Sequence, residues 1–506
     1  MSEPQRHAPS SAALDAPFDV AVAGAGFGGL STALLLARMG HRVALIEAER
    51  NVGGFLRSYK RGGIDCPVGV HYFGAAGRDE FLGQFFDLLG VREALKLTRT
   101  GTRGIIDRYR FPNSTFELPS TYEALQTVLQ GRHSASPRAL EFVLSNLQSM
   151  MQALRFLPDG TLGTAGLLSG SLTRSTAEIL DDYDAPQGIR DFLSIQGFWT
   201  GSDLDRSPLH ASFMAIASLL VSAWHLGCTG AEMADELAAR ARAAGVTLIT
   251  RDPVTQLLVE GGAASGLVLK SGRSVTAKKV VLGIHPKHLL RIAPPGALPT
   301  DYLEGLAKLE ETISMFGAVA LVDSDKQPPR EHNFYLVYDE PAGKNAVFVQ
   351  IGPSTVPNKS RLVLLTRSDF EQWADWKESR TGKRGQAYRQ HKTSLARNLL
   401  TLAEEVIGPV GEAHIVDTWS PLSARDWVQT PNGSAYGVRH CAKDGLQFVV
   451  LTRPPFSRLY LVGQSAISPG LIGVAFGVLR CVGEVAGRVR LRTFIAEELA
   501  SRQVCS

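Results

Sequence analysis

The sequence predicts an α/β fold with two parts: a domain built around a parallel sheet, and a second, discontinuous α+β domain. Two observations favour this fold. Near the start of the chain a glycine-rich turn stands between a short apolar strand and a helix, which is the order of a parallel βαβ unit. Short buried strands of the same kind return within residues 246–283 and 458–464, so distant segments are expected to join one sheet.

The first unit carries the strongest signal. A strand over residues 18–23 runs into G-x-G-x-x-G, and a helix follows over residues 30–39. Gly24 permits the tight turn, Gly26 lets a pyrophosphate approach the backbone, and Gly29 lets the helix pack on the sheet. The helix N-terminus offers free N–H groups to phosphates. The segment therefore predicts a Rossmann-like dinucleotide site, against the alternative of a purely structural turn.

An acid ends the next predicted strand, residues 41–47. Glu47 lies 21 residues after Gly26, close to the spacing at which an acid binds the ribose hydroxyls. An acid rather than an arginine favours FAD or NAD over NADP. A second glycine pair, Gly53 and Gly54, follows the acid.

The next segment, Asp65 to Gly74, reads D-x-x-x-G-x-H-Y-F-G, and the first glycine of this motif is Gly69. With the preceding glycines it resembles the flavin amine-oxidase superfamily, and within it the branch of retinol saturases, carotenoid isomerases and phytoene desaturases. The resemblance implies FAD as the cofactor, with this segment beside the isoalloxazine ring. One departure is Phe55, where many members carry arginine after the glycine pair, and Arg57 is the candidate substitute.

Two later segments resemble the rest of such an FAD domain. Residues 246–283 have the order of its second segment, in which Val254 is expected to hold the adenine through its backbone. Residues 458–477 contain L-Y-L-V-G-Q and G-L-I-G-V-A-F-G, and resemble retinol saturase more than the amine oxidases, which usually carry an acid at Gln464. The predicted cofactor-binding residues are Gly24, Gly26, Gly28, Gly29, Glu47, Gly53, Gly54, Gly69, Val254, Gly463, Gln464 and Gly473.

The resulting organisation is a disordered tail (1–17), three FAD-binding segments (18–90, 227–292 and 426–495) and two substrate-domain segments (91–226 and 293–425). The substrate domain is expected to cover the flavin and enclose an apolar cavity. Residues 138–157 show apolar residues at helical spacing. This helix either packs on its own domain or dips into a bilayer surface, and so peripheral membrane contact is retained as an alternative. The apolar stretch 211–224 is too short to span a membrane and predicts a buried helix.

The resemblance to retinol saturase also includes Y-G-x-x-H at residues 436–440. Four polar side chains from the matched motifs are therefore candidates for chemistry: His71, Tyr72, Tyr436 and His440. We assign catalytic roles to His71 and Tyr436. His71 is expected to relay a proton because imidazole titrates near neutral pH, while the alternative is that His71 and Tyr72 only pack beside the ring. No metal site is predicted.

Composition and cysteine spacing exclude several kinds of partner and structure. The chain has 506 residues, of which 44% are hydrophobic, and a net charge of +4 with its basic residues spread out, so no nucleic-acid partner is expected. The five cysteines are far apart, which favours a reducing cytoplasm over a disulfide framework. No second strand–G-x-G-x-x-G–helix unit is present, so an external electron donor or acceptor is expected.

These observations predict an FAD-dependent oxidoreductase acting on a carbon–carbon double bond of a polyene or another long lipophilic substrate. Saturation is favoured, with desaturation or cis–trans isomerisation as the alternative on the same fold. A non-catalytic isoprenoid-binding escort protein and an amine oxidase are the alternatives of other classes.

Overall fold

The computed structural model describes residues 16–155, 157, 173–195, 197–340, 343–444 and 454–503, so most of the predicted tail (1–17) lies outside the described residues. The strands are β1 Phe18–Ala23, β2 Val43–Ile46, β3 Ser58–Arg61, β4 Ile64–Pro67, β5 Phe73–Gly74, β6 Thr98–Thr100, β7 Ile105–Phe111, β8 Ser114–Pro119, β9 Ala223–His225, β10 Thr247–Ile249, β11 Val254–Glu260, β12 Ala263–Leu269, β13 Ser274–Leu282, β14 Met315–Asp323, β15 Asn333–Glu340, β16 Gly343–Pro353, β17 Lys359–Arg367, β18 His414–Trp419 and β19 Leu459–Leu461.

The α-helices of the described residues lie between and around these strands. They are α1 Phe27–Arg38, α2 Phe81–Leu89, α3 Arg92–Leu95, α4 Tyr122–His133, α5 Pro137–Ala153, α6 Thr176–Asp181, α7 Gln187–Ser194, α8 Gly197–Thr200, α9 Leu209–Val221, α10 Gly230–Ala243, α11 Leu289–Ile292, α12 Thr300–Lys308, α13 Gly385–Ile407, α14 Pro421–Val428, α15 Gly470–Ala486 and α16 Arg488–Gln503.

The first sheet confirms the predicted α/β fold. Its strands run in the order β10-β2-β1-β13-β12-β11, and β19 also pairs with β13. The pairs among β10, β2, β1, β13 and β19 are parallel, whereas β11, β12 and β13 form an antiparallel meander. All four residues of β2 are buried, as both faces of a parallel sheet require. Helices α1, α10 and α15 pack together on one face. The glycine-rich turn thus joins β1 to α1, which starts three residues earlier than predicted.

The second sheet has the order β18-β14-β17-β16-β15-β7-β8. All of its strand pairs are antiparallel except β15 with β7, which is parallel. This pair joins the two substrate-domain segments, because β7 and β8 come from residues 91–226 and the other strands come from residues 293–425. Helix α13 packs on the outer face of this sheet. The domain boundaries given above stay predictions, but β7, β8 and β14–β18 all come from the two segments assigned to the substrate domain.

Helix α5 favours the packing alternative over the bilayer alternative. Its apolar residues, including Val143, Leu147 and Met150, are buried and α5 packs against α9. Phe142 is half-buried and stacks on Tyr183, with 4.2 Å between ring centroids. The apolar face of α5 is therefore occupied by the protein's own core. In the part of the chain that the structure describes, no helix combines the length and the apolarity needed to cross a membrane.

Candidate cofactor and substrate site

A cavity of about 430 Å³ lies between the carboxyl edge of the first sheet and the inner face of the second. It is lined by every residue predicted to bind the cofactor except Gly29, and by both predicted catalytic residues, His71 and Tyr436. Residues from all three predicted FAD segments thus meet at one site. This placement is the one expected for a ligand of an open parallel sheet, outside the carboxyl ends of its strands.

The glycines of the first turn have different surroundings. Gly24 has φ +92°, and a Cβ there would lie 2.6 Å from the carbonyl oxygen of Gly283, so the tight turn requires glycine. A Cβ on Gly26 would meet no atom within 4 Å and would enter the cavity. A Cβ on Gly29 would lie 1.9 Å from the carbonyl oxygen of Gly24. Gly29 therefore serves helix packing, and its assignment as a cofactor-binding residue is corrected: it does not line the cavity.

The first and third predicted FAD segments meet at Gly28. A Cβ there would lie 3.2 Å from both the backbone of Gly463 and a methyl group of Val474. The glycine pair Gly53 and Gly54 also lies against the first glycine-rich turn, because the backbone N–H of Gly53 donates to Ala25 O at 2.7 Å. The backbone of the amino-terminal turn therefore lies directly against the loop at Gly463.

Glu47 sits where a ribose acid is expected. Its carboxylate accepts hydrogen bonds from the backbone N–H groups of Ala25 (2.8 Å) and Glu49 (2.9 Å). Burial raises the pKa of this carboxyl, and the two hydrogen bonds oppose the rise. Arg57 approaches the carboxylate at 3.7 Å and donates to the backbone of Asn51. Arg57 is thus held beside the acid at the rim of the cavity.

The cavity fits the pyrophosphate and adenosine of FAD. Open space in front of Gly26 leaves the backbone accessible to a large anion. Helices α1 and α15 both begin at the cavity wall, and neither has a side chain capping its first N–H groups. Such free N–H groups and the helix dipoles favour phosphate oxygens. Val254, at the start of β11, also lines the cavity, and two residues before it the backbone N–H of Asp252 donates to Glu47 O at 3.3 Å.

We expect Glu47→Ala to weaken FAD binding by about 1–3 kcal/mol, roughly 5- to 150-fold in Kd, because ribose hydroxyls lose their acceptor. Flavin titration of the apoprotein measures this. Asp252→Ala is the matched control, since Asp252 is an equally buried carboxylate that binds Ser271 and Arg273 and does not line the cavity. Equal affinity losses in both variants would count against a ribose contact.

One part of the remaining cavity is lined mainly by aromatic and other apolar side chains. Tyr72 and Phe348 are stacked in parallel planes, with 6.2 Å between ring centroids, and the edge of Trp199 contacts Tyr72. The chamber, as the term is used below, comprises the lining side chains Tyr72, Phe198, Trp199, Met214, Met315, Tyr335, Phe348, Leu365, Trp419 and Tyr436. These walls bind apolar surface and offer few hydrogen-bonding groups.

Behind the chamber wall lies a buried polar cluster that the motif analysis missed. Asp107, on β7, is fully buried and accepts hydrogen bonds from Tyr72, Tyr109 and Asn333. A signal for it is present in the sequence, because β7 alternates buried and exposed residues and Asp107 falls on the buried phase with Tyr109. A carboxylate buried on that face of the strand needs hydrogen-bond donors, and two of them are Asn333 on β15 and Tyr72 just before β5.

The structure changes the assignment of the catalytic candidates. Burial lowers the pKa of His71 to about 4 and that of His440 to about 3. Both imidazoles are therefore neutral at pH 7, and the premise that His71 titrates near neutral pH is wrong. The hydroxyl of Tyr436 donates to the backbone oxygen of Phe198 at 2.7 Å, so its proton is already engaged. Tyr72, a polar candidate to which no catalytic role was assigned, is hydrogen-bonded to both Asp107 and Tyr335.

Three comparisons bear on the identity of this site. The model of the family described as flavin containing amine oxidoreductase matches residues 27–477. An all-trans-retinol 13,14-reductase from Macaca fascicularis is 25% identical and the match covers 93% of this chain and 86% of that protein. A prolycopene isomerase from an Oncidium hybrid cultivar is 22% identical over 93% of this chain and 84% of its own length.

A solved structure confirms the fold alone. Cyclohexylamine oxidase from Brevibacterium oxydans superimposes with a TM-score of 0.62 at 17% identity, covering 95% of this chain and 99% of the other. The resemblance predicted from the glycine-rich segments is confirmed by the family match and by the relatives above.

Proposed function

The chain belongs to the family of flavin-containing amine oxidoreductases, and from this premise we propose that it is an FAD-dependent oxidoreductase that saturates a carbon–carbon double bond of a polyene or similar long lipophilic substrate. The retinol reductases that match 93% of the chain support this substrate class and direction. The single observation that carries the proposal is the aromatic chamber, which opens into the same cavity as the glycines of the cofactor site.

The lining of the chamber favours a conjugated hydrocarbon chain over an amine. Among the described residues, the acidic side chains that line the cavity are Glu47 and Glu49, and both lie at the nucleotide end. An ammonium group in the chamber therefore has no carboxylate on the wall to pair with. A polyene needs none, because burial stabilises each carbon by about 0.8 kcal/mol.

When bound, FAD supplies the hydride and single-electron chemistry that the side chains lack. The chamber residues hold the substrate, exclude water and fix which double bond faces the cofactor. Gly26, Gly28, Glu47, Gly53 and Gly54 form one wall of the proposed cofactor site. Gly69, Val254, Gly463, Gln464 and Gly473 complete the set that we propose to contact FAD.

An anaerobic incubation tests the proposal. Purified holoprotein is reduced with dithionite and mixed with all-trans-retinol, and the product is analysed by absorbance and mass. We expect a shift of the polyene absorbance to shorter wavelength and a gain of two hydrogens, both only with reduced flavin. An unchanged mass with an altered isomer pattern would establish isomerisation, and loss of hydrogens with oxidised flavin would establish desaturation.

The same preparation distinguishes the two other classes. An escort-type isoprenoid carrier predicts a colourless protein that binds no added FAD, whereas an oxidoreductase predicts about one flavin per chain. Amine oxidation predicts hydrogen peroxide release from a panel of primary and secondary amines. The proposal includes an external electron donor for the flavin. It also includes peripheral membrane contact, which vesicle flotation of the holoprotein tests.

A further inference from the structure

The buried Asp107 stands one hydrogen bond from the chamber. Its Oδ2 atom accepts from the hydroxyls of Tyr72 at 2.8 Å and Tyr109 at 3.0 Å, and its Oδ1 atom accepts from Asn333 at 2.9 Å. Among the described residues no lysine, arginine or histidine forms an ion pair with it, although it is fully buried. Burial without a cationic partner favours the protonated form of this carboxyl, and the three hydrogen bonds that it accepts oppose this effect.

Tyr72 connects this carboxyl to the chamber. Its hydroxyl lies 2.8 Å from that of Tyr335, which in turn accepts from the indole N–H of Trp199. Tyr72, Tyr335 and Trp199 line the cavity, whereas Asp107 does not. The phenol of Tyr72 is therefore the link between the buried acid and the space that holds the substrate.

Counting hydrogens shows what the link does. With Asp107 ionised, the single hydrogen of Tyr72 points to the carboxylate, and the hydroxyl offers only lone pairs to Tyr335 and the chamber. With Asp107 protonated, the carboxyl hydrogen can point to the oxygen of Tyr72, and the phenol hydrogen is released towards the chamber. The protonation of Asp107 thus decides whether the chamber contains a proton donor at this position.

We propose that Asp107 and Tyr72 form a proton relay that protonates the substrate carbon skeleton during reduction. This inference rests on the proposed function. Reduced FAD, when bound, would supply a hydride, with its electron pair, to one carbon of the double bond. The neighbouring carbon accepts the phenol proton of Tyr72, and the C–H bond forms as the O–H bond breaks. The carboxyl proton of Asp107 restores the phenol, and solvent later reprotonates the carboxylate. Tyr72 is the catalytic residue, and Asp107 is a positioning residue that acts through it.

The surroundings of Asp107 set the pH dependence of the relay. Burial raises the pKa of Asp107 to about 6. Burial also raises the pKa values of the tyrosines around it, Tyr72, Tyr109 and Tyr335, and lowers the pKa values of the nearby histidines, His71 and His225. The arginines beside it on β7 form ion pairs with glutamates, Arg108 with Glu117 and Arg110 with Glu405. Deprotonation of Asp107 is therefore expected to slow reduction about tenfold per pH unit above 6.

The experiment follows flavin reoxidation when the reduced holoenzyme is mixed anaerobically with a polyene such as all-trans-retinol, from about pH 5 to 8. We expect Tyr72→Phe to slow this step by about 10²- to 10⁴-fold and to abolish its solvent deuterium isotope effect, with flavin content unchanged. Asp107→Asn is expected to slow it and to remove the pH dependence. Tyr109→Phe is the matched control, because it removes a similar hydrogen bond to Asp107 but does not line the chamber.

The outcomes separate the relay from the function on which it rests. Wild-type rates and an unchanged pH profile in Tyr72→Phe and Asp107→Asn would overturn the relay and leave polyene reduction intact. A wild-type enzyme whose reduced flavin reacts with no polyene would overturn both. If either variant loses its flavin, the wild-type profile decides: a break near pH 6 with a solvent isotope effect supports the relay, and a flat profile without one overturns it.

Discussion

Gly26→Val is expected to yield a folded protein that contains no flavin. The backbone of Gly26 is extended, with φ −74° and ψ −178°, a conformation that valine adopts readily. A Cβ at this position would meet no protein atom within 4 Å, so the branched side chain would fill only the space reserved for the pyrophosphate. The measurement is the ratio of flavin absorbance to protein, before and after reconstitution with FAD.

The comparison must be made with flavin-free wild type, because a bound cofactor itself raises the melting temperature. Between the two apoproteins we expect the unfolding free energy to differ by less than about 1 kcal/mol. Gly131→Val is the control, since its Cβ also enters open space, on the exposed surface of α4. Full flavin occupancy in Gly26→Val would show that the phosphates bind elsewhere.

Gly29→Ala, unlike Gly26→Val, is expected to lower the stability of the fold itself. The added methyl group would lie 1.9 Å from the carbonyl oxygen of Gly24 and 3.6 Å from the side chain of Val22. Helix α1 must move away from β1 to relieve the overlap, which we expect to cost about 3 kcal/mol or more. Thermal unfolding of the apoprotein, followed by circular dichroism, measures the loss.

A glycine-to-alanine substitution in another helix is the control for Gly29→Ala. Gly305, within α12, has no atom within 4 Å of an added Cβ, so Gly305→Ala is expected to stabilise the protein by up to about 1 kcal/mol. If Gly29→Ala unfolds at the temperature of the wild-type apoprotein, the close packing of α1 on its turn is not as described above.

The parallel sheet and the glycine turn could be predicted because their signals are local. Residues 18–47 carry the strand, turn, helix and acid in one short stretch, and the structure places them as expected. The motif also assigned different tasks to Gly26 and Gly29, but it did not show that Gly29 lies outside the cavity. The position of the carbonyl oxygen of Gly24, 1.9 Å from a Cβ on Gly29, shows how close the packing is there.

The polar cluster behind the chamber could not be assembled from the sequence. Asp107 and Tyr335 lie on strands that are far apart in the chain, and the parallel pairing of β7 with β15 leaves no local signature. The low pKa of His71 was missed for a related reason. Its value depends on the apolar residues that surround it in the fold, and motif analysis supplied the residue type without that burial.

The contact of Gly28 with Gly463 also has a consequence for which parts of the chain are needed to capture the cofactor. A chain that stops before β19 contains every strand of the second sheet but lacks the segment against which the amino-terminal turn closes. Capture of FAD is thus expected to require residues 459–486, although they lie more than 400 residues from the turn in sequence. A chain truncated before residue 459 should leave added FAD fully fluorescent in solution, whereas the 506-residue chain should quench it.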